Sequence, residues 1–183
     1  MAVTTLDPKT ALIVIDLQKG IVAAQPLGEV IRRTRALADA FRSRGLPVVL
    51  VNVAGGAPGR TEQPRPGGPF PDGWTDLIPE LDQQPSDILV TKRTWGAFAS
   101  TDLEARLKTL GVTQVVIVGV ATGTGVEATA RQAYEQGFNV TLAIDAMADM
   151  RPATRDYSIN HVFPRLGETG STQEIIDLVE RAA

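Results

Sequence analysis

Five short aliphatic runs punctuate this chain, and their continuity constrains its fold more than any other feature. Residues 11–15 (Ala-Leu-Ile-Val-Ile), 47–53, 88–91, 114–120 and 139–144 are apolar along most of their length, with little polar alternation. A strand that is apolar on both sides needs cover on both sides, as in a parallel sheet flanked by helices. Helical patterns lie between the runs, over 30–44, 103–110 and 127–136, and 172–181 follows as a last helix. This alternation predicts an α/β chain with three layers, α/β/α, around a mostly parallel, doubly wound sheet. Residues 1–183 are read as one domain, without internal repeat or interdomain linker.

The helices carry local signals of their own. In 30–44, Ile31, Leu37 and Phe41 share one face, and Arg32, Arg35 and Arg42 are left for solvent. Gly45, Gly111 and Gly137 stand where left-handed caps end helices, and Asp102 precedes 103–110 as an N-cap candidate. Glu127 and Arg131 are spaced i,i+4 in the favourable order, while Ile175 and Leu178 are expected to face inward. One segment breaks the rhythm: residues 55–73 are rich in Pro and Gly and too long for an ordinary connection. Such a segment is a lid, an interface element or a disordered loop. Within it Arg60 and Arg65 are either solvated or within reach of an anionic substrate or a neighbouring subunit.

Composition removes whole classes of chemistry. The chain of 183 residues contains no cysteine, which excludes disulfides, thiolate metal sites and cysteine nucleophiles. A single histidine, His161, cannot build a histidine-rich metal centre, and most Ser-His-Asp arrangements go with it; it is read as structural. A formal net charge of −3 offers no pull toward nucleic acid or an anionic membrane. With no spanning-length apolar run and no signal-peptide pattern, a cytoplasmic location is expected. No cofactor or metal is expected, and the partner is a small-molecule substrate.

Three strand ends then stand out. Asp16 follows the first run, Lys92 the third, and Gly125 the turn after the fourth. In open parallel sheets ligands bind beyond the carboxyl ends of the strands, where the winding reverses. Each residue alone has a plain structural explanation: a turn or cap for Asp16, a solvated side chain for Lys92, a steric accommodation for Gly125. Together they would deliver a carboxylate, an ammonium and a bare backbone to one rim. Gly123-Thr124-Gly125 has the look of a phosphate loop, but no Lys-Ser/Thr follows it, so nucleotide binding is not expected.

The motifs around these residues resemble the isochorismatase-like hydrolases, or cysteine hydrolase superfamily. The matching stretches are Asp16-Leu17-Gln18, Lys92-Arg93-Thr94-Trp95-Gly96-Ala97-Phe98, and Gly119-Val120-Ala121-Thr122 leading into Val126-Glu127-Ala128-Thr129-Ala130-Arg131. Asp145-Ala146-Met147-Ala148-Asp149 and Phe163-Pro164-Arg165-Leu166-Gly167-Glu168 extend the likeness to nearly the whole chain. The resemblance implies a homo-oligomeric hydrolase with Asp16 as general acid or base, Lys92 as its electrostatic partner and the Gly125 turn as a cradle for an anion or carbonyl. It implies a cis peptide between Val120 and Ala121. Gln18, Trp95, Phe98, Ala121 and Thr124 are the candidate substrate-binding residues, with Trp95 and Phe98 lining the pocket or covering the core edge.

Most members of that superfamily carry a nucleophilic cysteine where this chain has Gly125, and some carry metal ligands absent from the region after Asn52. A thioester route is therefore closed here. True isochorismatases share the glycine but carry a tyrosine–alanine–histidine run at this turn, which this chain lacks. The resemblance is to a glycine-bearing branch, and three readings stay open. The first is Asp-assisted addition of water to a vinyl ether or related C–O or C–N bond. The others are a non-catalytic small-molecule-binding protein and an amidohydrolase disabled at one position.

Overall fold

In a computed structural model describing residues 3–63 and 69–181, six strands form one all-parallel sheet. They are β1 (Thr10–Ile15), β2 (Val48–Val53), β3 (Ile88–Lys92), β4 (Gln114–Val120), β5 (Asn139–Ala148) and β6 (Glu168–Gly170), ordered β3-β2-β1-β4-β5-β6. The helices are α1 (Lys19–Val22), α2 (Gly28–Ser43), α3 (Leu103–Thr109), α4 (Glu127–Glu135), α5 (Pro152–Tyr157) and α6 (Thr172–Arg181). β1 and β4 lie side by side at the centre with Ile15 level with Gly119, although they are far apart in sequence. The winding reverses between them, which makes that gap the crevice where such sheets bind ligands.

The period of two along each strand sends its residues into two separate cores. Ala11, Ile13 and Ile15 pack with Leu103, Leu107, Ala130, Ala133 and Phe163 on one face. Leu12 and Val14 pack with Leu37, Phe41, Ile175 and Val179 on the other. All six residues of β1 are buried, so the doubly covered sheet read from the sequence is the one observed. No helix among the described residues is long and apolar enough to cross a membrane.

Several expectations need correction. Arg42 does not face solvent: its side chain is 12% exposed, donating at 2.6 Å to a buried Asp87 and also to the Leu81 carbonyl. Asp102 stands at the N-cap position of α3, but its side chain does not cap the helix. Its carboxylate takes Arg106 at 2.9 Å, and the Leu103 amide donates to Thr101 Oγ1. β5 does not stop at residue 144 but runs to Ala148, and β6 has no apolar signature. Gly45, Gly111 and Gly137 do take positive φ, and Arg131 reaches Glu127 at 2.9 Å.

The stretch just after the long insertion, residues 74–77, is held against the chain that follows β1. Gln18 bridges to Leu77 in antiparallel fashion, Lys19 pairs with Asp76 at 2.9 Å, and the Trp74 carbonyl accepts the Gly20 amide. This stretch therefore straps the segment that follows β1. Arg60 is exposed, and Arg65 lies outside the described residues.

Candidate active site

The end of β1 turns sharply at Asp16, whose φ of 54° is left-handed. Among non-glycine residues, Asp and Asn tolerate that region best. Its amide still completes the sheet by donating to the Val51 carbonyl at 2.9 Å, and its carbonyl accepts the Gln18 amide. The turn throws the carboxylate into the crevice, where the residue is only 5% exposed.

Lys92 arrives from the edge strand β3, two strands away. Its inward position follows Val90 by two residues, and it is 1% exposed. The ammonium donates to Asp16 Oδ2 at 2.8 Å and to the Thr94 carbonyl at 3.2 Å. Asp16 Oδ1, by contrast, is buried with no hydrogen-bond partner. Burial pushes the Asp16 carboxyl up from 3.8 to about 6, with the charge and hydrogen bond of Lys92 pulling the other way. A carboxyl tuned near neutrality can give or take a proton at physiological pH.

Gly125 closes the site from β4. Gly119 takes φ 111°, and a Cβ there would fall 2.1 Å from the Ile15 carbonyl oxygen, so glycine is required for the strands to approach. The Val120–Ala121 peptide that follows is cis, as the resemblance implies. The chain then winds through a π-helical turn, Thr122–Val126, into α4, with the Ala121 carbonyl accepting the Thr124 and Val126 amides. A Cβ on Gly125 would point at the aspartate, 3.2 Å from Asp16 Oδ2 and 3.0 Å from Ile15 Cγ2. Asp16, Lys92 and Gly125 are thus one constellation.

The other candidate residues divide. Gln18 is fully buried and its amide is committed: Oε1 accepts the Val53 amide at 2.7 Å, while Nε2 donates to the Val53 and Trp74 carbonyls. It holds the end of β2 and the strap in place beside Asp16. Phe98 takes the packing alternative, 4% exposed and stacked on Phe138 with ring centroids 5.9 Å apart. Trp95 is 68% exposed in the loop after Lys92. Ala121 and Thr124 are half-buried at the turn itself. His161 is exposed against Tyr157. Among the described residues, no three His, Cys, Asp or Glu side chains are grouped to hold a metal.

Sequence reasoning missed Thr129. Its hydroxyl donates to the Gly125 carbonyl at 2.7 Å and accepts the Ala97 amide at 3.1 Å, so it joins the Lys92 loop to the Gly125 turn. Its place one helical turn after Gly125 was the available signal.

Comparison with known proteins identifies the family. Residues 10–174 match the family model described as the isochorismatase domain. The isochorismatase family protein YwoC of Bacillus subtilis (strain 168) is 38% identical over 179 residues, covering 94% of this chain and 95% of that protein. Streptothricin hydrolase of Streptomyces noursei is 36% identical over 153 residues, covering 81% of this chain and 53% of that enzyme. A solved structure of an isochorismatase family protein from Burkholderia thailandensis superposes with a TM-score of 0.90 at 38% identity, covering 96% of this chain and 98% of that one. The chain belongs to the isochorismatase family of hydrolases.

Proposed function

We propose that this protein hydrolyses a small molecule by Asp16-assisted addition of water, with no covalent intermediate. The observation that carries the reading is Asp16 Oδ1, a buried oxygen without a partner, on a carboxyl whose other oxygen lies 3.2 Å from where a Gly125 Cβ would stand. Lys92 occupies Oδ2, so a proton held by the carboxyl resides on the unpartnered Oδ1. With glycine at 125 there is no side chain to attack, so the nucleophile in this reading is water, as a glycine-bearing branch of the family would use.

A vinyl ether fits this equipment. The Oδ1 proton passes to the terminal carbon of the double bond, and the ether oxygen stabilises the resulting oxocarbenium centre. Water adds there and returns a proton to the Asp16 carboxylate. The hemiketal hydroxyl then gives up its proton and the ether oxygen takes one as their shared carbon releases that oxygen, leaving a ketone and an alcohol. Lys92 steadies the carboxylate as its charge returns.

The test is a substrate screen spanning vinyl ethers and small amides, followed by Asp16→Asn on any hit. General acid catalysis contributes roughly 10²–10⁴-fold, so turnover should fall by at least about a hundredfold with folding intact. Full activity in Asp16→Asn would end the catalytic role. Tight binding without turnover across the screen would favour a binding protein instead.

A further inference from the structure

The turn that presents Gly125 is held by a residue the mechanism does not use. Between Ile117↔Leu142 and Gly119↔Met147 the register of β4 and β5 shifts. β4 advances from 117 to 119 while β5 advances from 142 to 147, three more residues than its neighbour. A bulge of this kind re-aims a strand, and bulges concentrate next to active sites. Here it carries the end of β5 alongside Val120 and delivers Asp149, half-buried, to the switch-point turn.

Asp149 uses both of its oxygens. Oδ2 accepts the Gly123 amide at 2.9 Å, and Oδ1 accepts the Arg151 amide at 2.9 Å. One carboxylate therefore ties the turn after β4 to the start of α5. Two neighbouring contacts act in the same direction. Gly123 lies so close to α5 that a Cβ would fall 2.1 Å from Thr154 Cγ2, and Ser158 Oγ donates to Glu127 Oε2 at 2.6 Å. Gly123 and Gly125 belong to one π-helical turn, so fixing the first fixes where the second meets Asp16.

We propose that Asp149 is a positioning residue, whose clamp on the Gly123 amide sets the seat of Gly125 against the Asp16 carboxylate. Its functional meaning rests on the reading of Asp16 and Gly125 as the reacting centre, but its test needs no turnover. Retained activity in Asp16→Asn would end that reading and leave the clamp standing.

The experiment compares wild type, Asp149→Ala and Asp149→Asn by amide hydrogen exchange and by NMR titration of the Asp16 carboxyl. Asp149→Ala should speed exchange at Gly123 and Gly125 by about tenfold or more relative to amides of β1. It should also lower the Asp16 midpoint from about 6 toward 3.8, as water enters beside the loosened turn. Asp149→Asn removes the charge but keeps one acceptor oxygen, which can hold the Gly123 amide while its NH2 group cannot accept the Arg151 amide, so both readouts should change less than in Asp149→Ala. Unchanged exchange and midpoint in Asp149→Ala would overturn the proposal. So would an equal midpoint shift in Asp149→Asn, because the effect would then belong to the lost charge. If Asp149→Ala does not fold, Asp149→Glu displaces the clamp by one methylene with the charge retained. A shifted Asp16 midpoint there supports the clamp and an unshifted one refutes it.

Discussion

Removing the Asp16 charge should flatten the pH dependence of stability in a defined direction. In the unfolded chain the Asp16 carboxyl titrates near 3.8, and burial in the fold raises it to about 6. Between those values the folded state binds more protons than the unfolded one, so stability falls as pH rises through that window and levels off above it. A difference of about two units at 1.36 kcal/mol each amounts to about 3 kcal/mol. For a chain of this size that corresponds to roughly 6–12 °C in melting temperature. Asp16→Asn lacks the titration but also strips Lys92 of its carboxylate, which adds an offset of its own. The informative quantity is therefore the change with pH of the wild-type minus mutant stability, measured by urea unfolding from pH 4 to 7. That difference should move against the wild type by about 3 kcal/mol as pH rises. A flat difference, or one growing in favour of the wild type, would refute the claim that burial outweighs Lys92 at Asp16.

Two further outcomes follow from the same geometry. Lys92→Met leaves a buried carboxylate alone and should cost about 3–5 kcal/mol near neutral pH, whereas the double change Asp16→Asn/Lys92→Met should recover most of that loss in a thermal-unfolding cycle. Gly119→Ala combines a disfavoured φ with a Cβ 2.1 Å from the Ile15 carbonyl oxygen, so circular dichroism should report a poorly folded or strongly destabilised chain.

The central strands were legible because double burial writes itself as an unbroken apolar run: β1 and β4 need no partner to be recognised. β6 was not, since Glu168-Thr169-Gly170 is a strand only through its pairing with residues 141–143. The extension of β5 was hidden for a related reason, because a bulge is a property of two registers and not of one sequence. In the site, strand ends and motif spacing marked Asp16, Lys92 and Gly125. The commitment of Gln18 to the Val53 backbone, 35 residues away, left no local trace. The same holds for Arg42, whose i,i+3 and i,i+4 neighbours say nothing of Asp87.

Glycine at 125 invites the conclusion that the site is spent, yet the costs gathered around it argue otherwise. Asp16 stands in a left-handed conformation worth roughly 1–3 kcal/mol of strain in a non-glycine residue. Its carboxyl is held well above its ordinary titration range, and one oxygen is denied any partner. Lys92 is buried to meet it, at 1% exposure. A fold with no use for this pair would gain from two apolar residues of similar size, since replacing buried ion pairs in that way is often neutral or stabilising. Destabilised groups converging on a single unpartnered oxygen are the trade expected where activity is maintained against stability. Under the proposed reading the chemistry runs through water, and Asp16 Oδ1 is the atom that would carry its proton.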